Sequence, residues 1–379
     1  MLRHGSSATA FQTVHSSFRY FWYGSDACVA YADTGRAWVA AGAPMAAAHE
    51  RGAVVSAFLA AAQAAGKRAC FFATEEPLQG SDGEPLSSLG IGEQPVWDPR
   101  AWPALLRGHR SLREQLRRAR AKGIRTRELV ASDLDAPRLR EQIESVCERW
   151  LASRRLAPMA FLVQLEPFGF AEKRRTFVAE QDGRVIGYAG LIPVPARGGW
   201  FLEHLVRDPE APNGTSELLV HAVMDWAGRA ECGFLTLGLA PLSGPLPPPL
   251  RFVRSASRFL YDFAGLRAYK AKFRPESWQP SYLCYPKSEP ALYAVLDTLA
   301  AFAQGGFFRF GLRTLLRWRA LLPLRRLALQ LVPWTLLGPI WAAIAAAGYA
   351  SRGSLAAATS ALNNALTSRS KSGPRAIGS

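Results

Sequence analysis

A hairpin followed by a strand, a helix and a further strand constrains this 379-residue chain more than any other feature. In RTFVAEQDGRVIGYAGLIPV two β-rich runs flank Asp182-Gly183, a pair that suits the two positive-φ positions of a tight hairpin turn. Arg197-Gly198-Gly199 turns the chain into a third strand, WFLEHLV. After the loop RDPEAPNG, the apolar residues Leu218, Leu219, Ala222, Val223, Trp226 and Ala227 recur at helical spacing over 215–230. FLTLGLA then reads as a returning strand before the Pro-rich PLSGPLPPPL. Earlier, ACVAYAD, GRAWVAAG and KRACFFAT are strand-like, and ERGAVVSAFLAAAQAAG is a helix ended by Gly66, so residues 11–75 follow the same alternation. The expectation is an α/β (α+β) chain, with residues 76–106, rich in Gly, Pro and Ser, as a loop.

Charge narrows the partners. Lys+Arg number 46 against Asp+Glu 30, a net charge of +16, and the excess sits in two places. Residues 107–127 carry nine cations against Glu114, and residues 302–379 carry nine arginines and Lys371 with no acid. Two local basic devices of this kind suit polyanions, either nucleic acid or an anionic membrane surface. The first device reads as a helix, with Ser111 and Glu114 spaced as a capping box, Leu112, Leu116 and Ala119 as a narrow apolar stripe, and Gly123 as the stop. It carries no aromatic platform for stacking bases, so it would grip phosphates by charge; a solvated basic face or a membrane-facing one would show the same residues.

The second device precedes an uncharged run of 25 residues, 327–351, long enough to span a bilayer core. Pro333, Pro339, Trp334 and Trp341 within it also fit a segment lying in the interface, and a buried helical hairpin would use similar residues. Upstream, Arg309, Arg313, Arg317, Arg325 and Arg326 alternate with Phe, Leu and Trp in a basic amphipathic pattern. The expectation is an anchor at 327–351 that holds the preceding chain on the cytoplasmic face of the inner membrane. Five scattered cysteines without a CxxC pair argue against a disulfide framework or structural zinc, and the N-terminus has no continuous apolar core of a secretory signal.

Strand, hairpin, strand, helix and strand in this order match the core of a GNAT-type acyltransferase, and two such units in tandem fit the length. CoA-dependent members of that fold bind pyrophosphate on a glycine-rich turn before the helix. Here that turn reads Asp208-Pro209-Glu210-Ala211-Pro212-Asn213-Gly214, whose acids repel pyrophosphate and whose prolines remove donors, so CoA is not expected. No HExxH, GxSxG, Walker or EF-hand pattern occurs, and neither a metal nor a nucleotide cofactor is expected.

RDPEAPNGTSELLVHAVMDWA, LTLGLAPLSG and GLRAYKAKF resemble the C-terminal catalytic region of lysyl-phosphatidylglycerol synthases (multiple peptide resistance factors), and RSLREQLRRARAKGI resembles that region's basic linker helix. The likeness covers residues 11–287. It implies a tandem GNAT-like enzyme that moves an aminoacyl group from a charged tRNA to a hydroxyl of a lipid such as phosphatidylglycerol. The implied organisation is a degenerate N-terminal domain (1–106), a basic linker helix (107–130), a catalytic domain (131–288) and a membrane-associating tail (289–379). The family's Asp-x-x-Arg-Arg-Asp-Pro appears here as Glu203-His204-Leu205-Val206-Arg207-Asp208-Pro209, and Val206 in place of an arginine leaves the donor amino acid and acceptor lipid open.

Ester-to-ester transfer needs a positioned hydroxyl, a stabilised oxyanion and recognition of the amino acid. Glu203 and Asp208 are candidates for the ammonium or for base work, and Arg207 and Lys272 for a phosphate or the oxyanion. Lys270 alternates with Lys272 in YKAKF, which on a strand would put both on one face. Asn213, Glu217 and Arg267 are candidate substrate-binding residues, and Arg113, Arg117, Arg118 and Arg120 candidate tRNA contacts. Edge-strand lysines, a surface pair between Glu203 and Arg207, and plain helix-cap chemistry at Asn213, Gly214 and Glu217 remain alternative readings. His204–Asp208 and His221–Asp225 both match HxxxD, and two matches in one chain show how little that spacing specifies. Glu203 and His204, adjacent on a strand, should face opposite sides. A soluble acceptor for the aminoacyl group and a non-catalytic, membrane-tethered module are the competing functions.

Overall fold

The computed structural model describes residues 3–14, 17–154, 157–247, 250–251, 254–255, 261–303, 310–311 and 313–314, all within the compact unit 1–317. The expected anchor at 327–351 and the amphipathic run before it lie outside these residues. Among the described residues no helix is long and apolar enough to cross a membrane.

Twelve strands form one sheet. In the N-terminal half β1 (Arg19–Tyr23), β2 (Ala27–Asp33) and β3 (Ala37–Ala41) run antiparallel, α1 (Arg51–Ala64) crosses over, and β4 (Arg68–Thr74) returns parallel to β3. The other half repeats the plan. There β6 (Arg125–Leu129), β7 (Arg175–Gln181), β8 (Arg184–Val194) and β9 (Gly199–Arg207) run antiparallel, α5 (Thr215–Arg229) crosses over, and β10 (Phe234–Thr236) returns parallel to β9. Asp182 and Gly183 both take positive φ, as the tight turn between β7 and β8 requires.

The seam between the halves differs from the expectation of a loop at 76–106. β5 (Ser87–Trp97) occupies that stretch and, with β12 (Ser277–Tyr285), gives the order β4-β12-β5-β10. Gly90, Gly92 and Pro95 disguise it, because they normally mark turns or edges. Here Gly90 and Gly92 flank the bulge at Ile91, and Gly92 at φ +152° lets the short β11 (Ala240–Pro241) approach, where a Cβ would lie 2.3 Å from the Ala240 carbonyl. The run FLTLGLA is likewise broken, into β10 and β11, at Leu237–Leu239.

Both faces of each half are covered. Val54, Val55, Phe58 and Ala62 on one side of α1 pack against β2–β4, with Phe58 among the rings of Phe21, Tyr31, Trp38 and Phe71. α7 (Ala291–Phe302) covers the opposite face. In the C-terminal half α5, α2 (Trp102–Gly108) and α3 (Arg110–Ala121) share one core, and α4 (Pro137–Ala152) covers the other face. Leu112, Leu116 and Ala119 of α3 are buried as the stripe predicts, and Gly123 stops the helix at φ +81°. The capping box does not form: α3 begins at Arg110 after His109, and the Glu114 carboxylate binds Arg117 instead. The five cysteines are buried thiols, with Cys70 and Cys147 pushed up to about 12 by burial, so they are poor nucleophiles.

Candidate functional site

The candidate residues converge where β9 ends and α5 begins, with one early departure. β9 carries a bulge: Leu191 pairs with Leu202 and Gly190 with His204, leaving Glu203 as the extra residue. The bulge undoes strand alternation, so Glu203 and His204 turn to the same buried cluster rather than to opposite faces. The Glu203 carboxylate lies 2.7 Å from Arg174 Nη1, both side chains are 3% exposed, and His204 Nε2 is 3.6 Å away. Arg174 also donates to the Gly169 carbonyl and lies 3.3 Å from His204 Nδ1. A Cβ at Gly190 would come within 2.9 Å of that guanidinium, so glycine leaves it room. Burial alone would raise the Glu203 carboxyl, but His204, Arg174 and the amide of Gln12 together hold it below the usual carboxylate range. Glu203 is thus neither a surface partner of Arg207 nor an open ammonium site.

Arg207 and Asp208 organise the next loop. Asp208 pairs with Arg149 of α4 at 2.6 Å and accepts the Glu210 backbone N–H at 3.0 Å. Arg207 donates to the Ala211 carbonyl at 3.1 Å and to Asn213 Oδ1 at 3.3 Å. Gly214 then starts α5 at φ +106°, and any Cβ there would lie 2.6 Å from the Ala119 methyl of α3. The basic helix is therefore seated against the loop. Lys122 Nζ donates to the Asn213 carbonyl at 3.1 Å, and the Gln115 amide donates to Glu217 at 3.2 Å.

The expectation for YKAKF is overturned. Residues Phe263–Ala271 form α6, opened by the Asp262 carboxylate accepting the Gly265 N–H at 2.8 Å, and the two lysines diverge as a helical period dictates. Lys270 is buried and donates to the carbonyls of Leu237, Gly238 and Leu239 at 2.8, 2.8 and 2.9 Å. It stitches the break between β10 and β11 instead of facing substrate, and burial pulls its pKa down to about 7. Lys272 stays about one-third exposed, with its ammonium 2.6 Å from Glu217 and 5.6 Å from the Tyr269 ring centre. Arg267 lies apart from this group, on Glu93 at 2.6 Å and over the Trp278 ring at 4.5 Å.

On α3, Arg113 closes the C-terminus of α2 through the Leu106 and Arg107 carbonyls, Arg117 and Arg118 bind Glu114, and Arg120 is exposed. His221 accepts the Trp102 indole N–H at 3.0 Å, a packing role that removes the second HxxxD match. Among the described residues no group of three or more His, Cys, Asp or Glu side chains is placed to hold a metal ion.

Arg174, Arg149, Gln12 and Gln115 were not singled out in the sequence. Arg174 and Arg149 sit among other arginines, and Gln12 reaches the site only because residues 4–14 fold over the seam. Its amide donates to the Leu162 carbonyl at 2.8 Å.

The family model described as "Phosphatidylglycerol lysyltransferase, C-terminal" matches residues 1–285. A phosphatidylglycerol lysyltransferase of Bacillus subtilis is 25% identical over 156 residues, 39% of this chain and 18% of that protein. The chain thus aligns with about a fifth of that relative. Among solved structures, the C-terminal DUF2156 domain of an Agrobacterium fabrum protein named for lysylphosphatidylglycerol synthetase superposes with a TM-score of 0.68 at 23% identity, covering 81% of this chain and 97% of that one. L-PGS from Bacillus licheniformis gives a TM-score of 0.65 at 18% identity, covering 79% and 94%. These likenesses establish a shared mixed α/β fold. With three quarters of its length matched by the family model, the chain belongs to the phosphatidylglycerol lysyltransferase C-terminal family of transferases.

Proposed function

We propose that this protein moves an aminoacyl group from aminoacyl-tRNA to a hydroxyl of a membrane lipid such as phosphatidylglycerol, at the cytoplasmic face of the inner membrane. The observation that carries the reading is the docking of the arginine-rich α3 onto the loop before α5, through Lys122, Gln115 and the Ala119–Gly214 contact. That contact joins a phosphate-binding surface to the cations Arg207 and Lys272. A tRNA held along Arg117, Arg118 and Arg120 would present its 3′ end to this loop.

The donor is already an activated ester, so no cofactor is needed. The lipid hydroxyl attacks the ester carbonyl, the tetrahedral oxyanion collapses, the bond to the ribose oxygen breaks, and the hydroxyl proton ends on that ribose oxygen. Lys272, held in place by Glu217, and Arg207, tied to the loop, supply positive charge where the oxyanion and the phosphates gather. Asn213 and Glu217 position these cations rather than react, and Asp208 holds the loop through Arg149 and the Glu210 backbone N–H. We assign the N-terminal half to the role of a degenerate copy of the same plan, and residues 327–351 to anchoring.

Lipid mass spectrometry on cells expressing the chain or its Lys272→Ala variant tests the reading. A lipid heavier by one amino-acid residue, present with the chain and lost in the variant, supports it. Lipids unchanged in both strains, with a soluble aminoacylated product in the extract, overturn the lipid acceptor while keeping the tRNA donor.

A further inference from the structure

α7 has an inner face suited to covering a sheet and an outer face poorly suited to water. Ala294, Asp297, Thr298 and Ala301 are buried toward the strands. Asp297, the one charged residue of the helix, is committed there, accepting from Arg68 Nε at 2.8 Å and Nη2 at 2.6 Å. Leu292, Leu296 and Leu299, spaced i, i+4 and i+7, form the outward stripe, with Leu292 and Leu299 55% and 49% exposed. A surface helix normally turns charge outward, as α3 does with its arginines; α7 turns leucine outward. On the same side of the sheet, Tyr20 of β1 packs into the cluster beneath α7. Trp22, two residues further along the strand, stacks on Tyr20 at 6.0 Å and is 64% exposed.

The chain leaving α7 supplies the complementary charge. The Ala160 N–H donates to the Phe302 carbonyl at 3.1 Å, and the Ala157 N–H donates to Thr314 Oγ1 at 3.3 Å. The start of the basic run thus lies along the segment that borders the end of α7, with Arg313 exposed. Residues 302–379 hold nine arginines and Lys371 without an acid, and α7 offers them no free carboxylate. Folded back over the stripe, that run would set arginines against leucines. On an anionic bilayer the leucines enter the acyl boundary, tryptophan takes the position it favours, and the arginines meet phosphates.

We infer that the Leu292–Leu296–Leu299 stripe of α7, together with Trp22, seats the folded body on an anionic bilayer. This deepens the transfer reading above and rests on its lipid acceptor. That reading assigns anchoring to residues 327–351, whereas this surface fixes which side of the body meets the lipid. α1, on the opposite face of the same half of the sheet, points away from the bilayer.

The experiment uses the full-length protein with an environment-sensitive fluorophore on Leu292→Cys, Leu299→Cys or, as the control on α1, the exposed Gln63→Cys; the native thiols are buried. On vesicles of phosphatidylglycerol and phosphatidylcholine with brominated acyl chains, the Leu292 and Leu299 labels should shift to the blue and lose at least about half their emission, and the Gln63 label should not. A label on Trp22→Cys should be quenched as well, and Leu292→Asp with Leu299→Asp should release it. Labels at 292 and 299 quenched no more than at 63 overturn the inference. So do labels already shielded in the lipid-free monomer, which would assign the stripe to the chain's own tail, or shielded only in a dimer, which would assign it to a second copy. Quenching at 292 and 299 without any aminoacylated lipid supports the surface and overturns the transfer reading alone.

Discussion

The two crossover units of the sheet, β3–α1–β4 and β9–α5–β10, have the same path and opposite content. β3 is AWVAA, with no ionisable side chain, and it feeds a helix whose buried face is Val54, Val55, Phe58 and Ala62. β9 carries Glu203, His204 and Arg207, bulges at Glu203, which Arg174 pairs, and enters its helix through a loop held by the Asp208–Arg149 pair and by Arg207. α1 begins at Glu50 with no side-chain cap, whereas α5 begins at a left-handed glycine pressed on a basic helix. One plan thus serves packing in one half and concentrates charge in the other, and function follows the grafted residues rather than the fold.

The sharpest way to break this contrast is to remove a cation from each unit. Lys272→Ala should lower aminoacyl transfer by at least about a hundredfold, the scale of losing one oxyanion donor, while leaving the melting temperature within a few degrees. Arg51→Ala, at the start of α1, should leave transfer unchanged, because its ion pair with the exposed Glu76 is remote from the other loop. Equal losses in both variants, measured with charged tRNA and lipid vesicles, would erase the distinction.

Packing gives the reverse test. Phe58→Ala should cost about 3–5 kcal/mol of stability, since four aromatic rings surround a fully buried side chain. Its effect should show in denaturant midpoints, with the rate per folded molecule preserved. A smaller effect should follow from Arg117→Glu with Arg118→Glu on α3. Neither residue is buried, so folding should hold while tRNA affinity drops about tenfold and its salt dependence flattens. A tRNA affinity and salt slope unchanged by both reversals would detach α3 from the donor.

What the sequence showed and what it hid follow a physical division. The Asp182-Gly183 hairpin, the α1 and α5 periodicities and the α3 stripe are local patterns, and the structure has each of them. β5 was hidden because Gly90, Gly92 and Pro95 mimic a loop, and only pairing with strands far along the chain, β10 and β11 and, nearly two hundred residues later, β12, makes it a strand. YKAKF alternates like a strand, yet Asp262 three residues before Gly265 was the cap signal for a helix that put Lys270 inside and Lys272 outside. The site's partners are harder still. Arg174 reaches Glu203 across a bulge, and Gln12 arrives from the N-terminal segment, so no spacing rule along the chain connects them.

Lys270 turns that difference between the two lysines into the smallest and most exacting test. Its pKa is drawn down to about 7 by burial, so from there up to the ordinary lysine value near 10.4 the unfolded chain binds a proton that the folded chain does not. Stability linked to this group therefore rises with pH across that window, by at most about 1.4 kcal/mol per pH unit. The three carbonyls at 2.8–2.9 Å pull the other way, since an ammonium satisfies all three and a neutral amine only two. Comparing the protein with Lys270→Met at pH 7 and pH 9 by denaturant unfolding removes the contribution of other groups. If burial dominates, the stability gap in favour of lysine widens at pH 9. A gap unchanged between the two pH values would mean that the carbonyls of Leu237, Gly238 and Leu239 keep the lysine charged, making it a permanent cationic clamp on the break between β10 and β11.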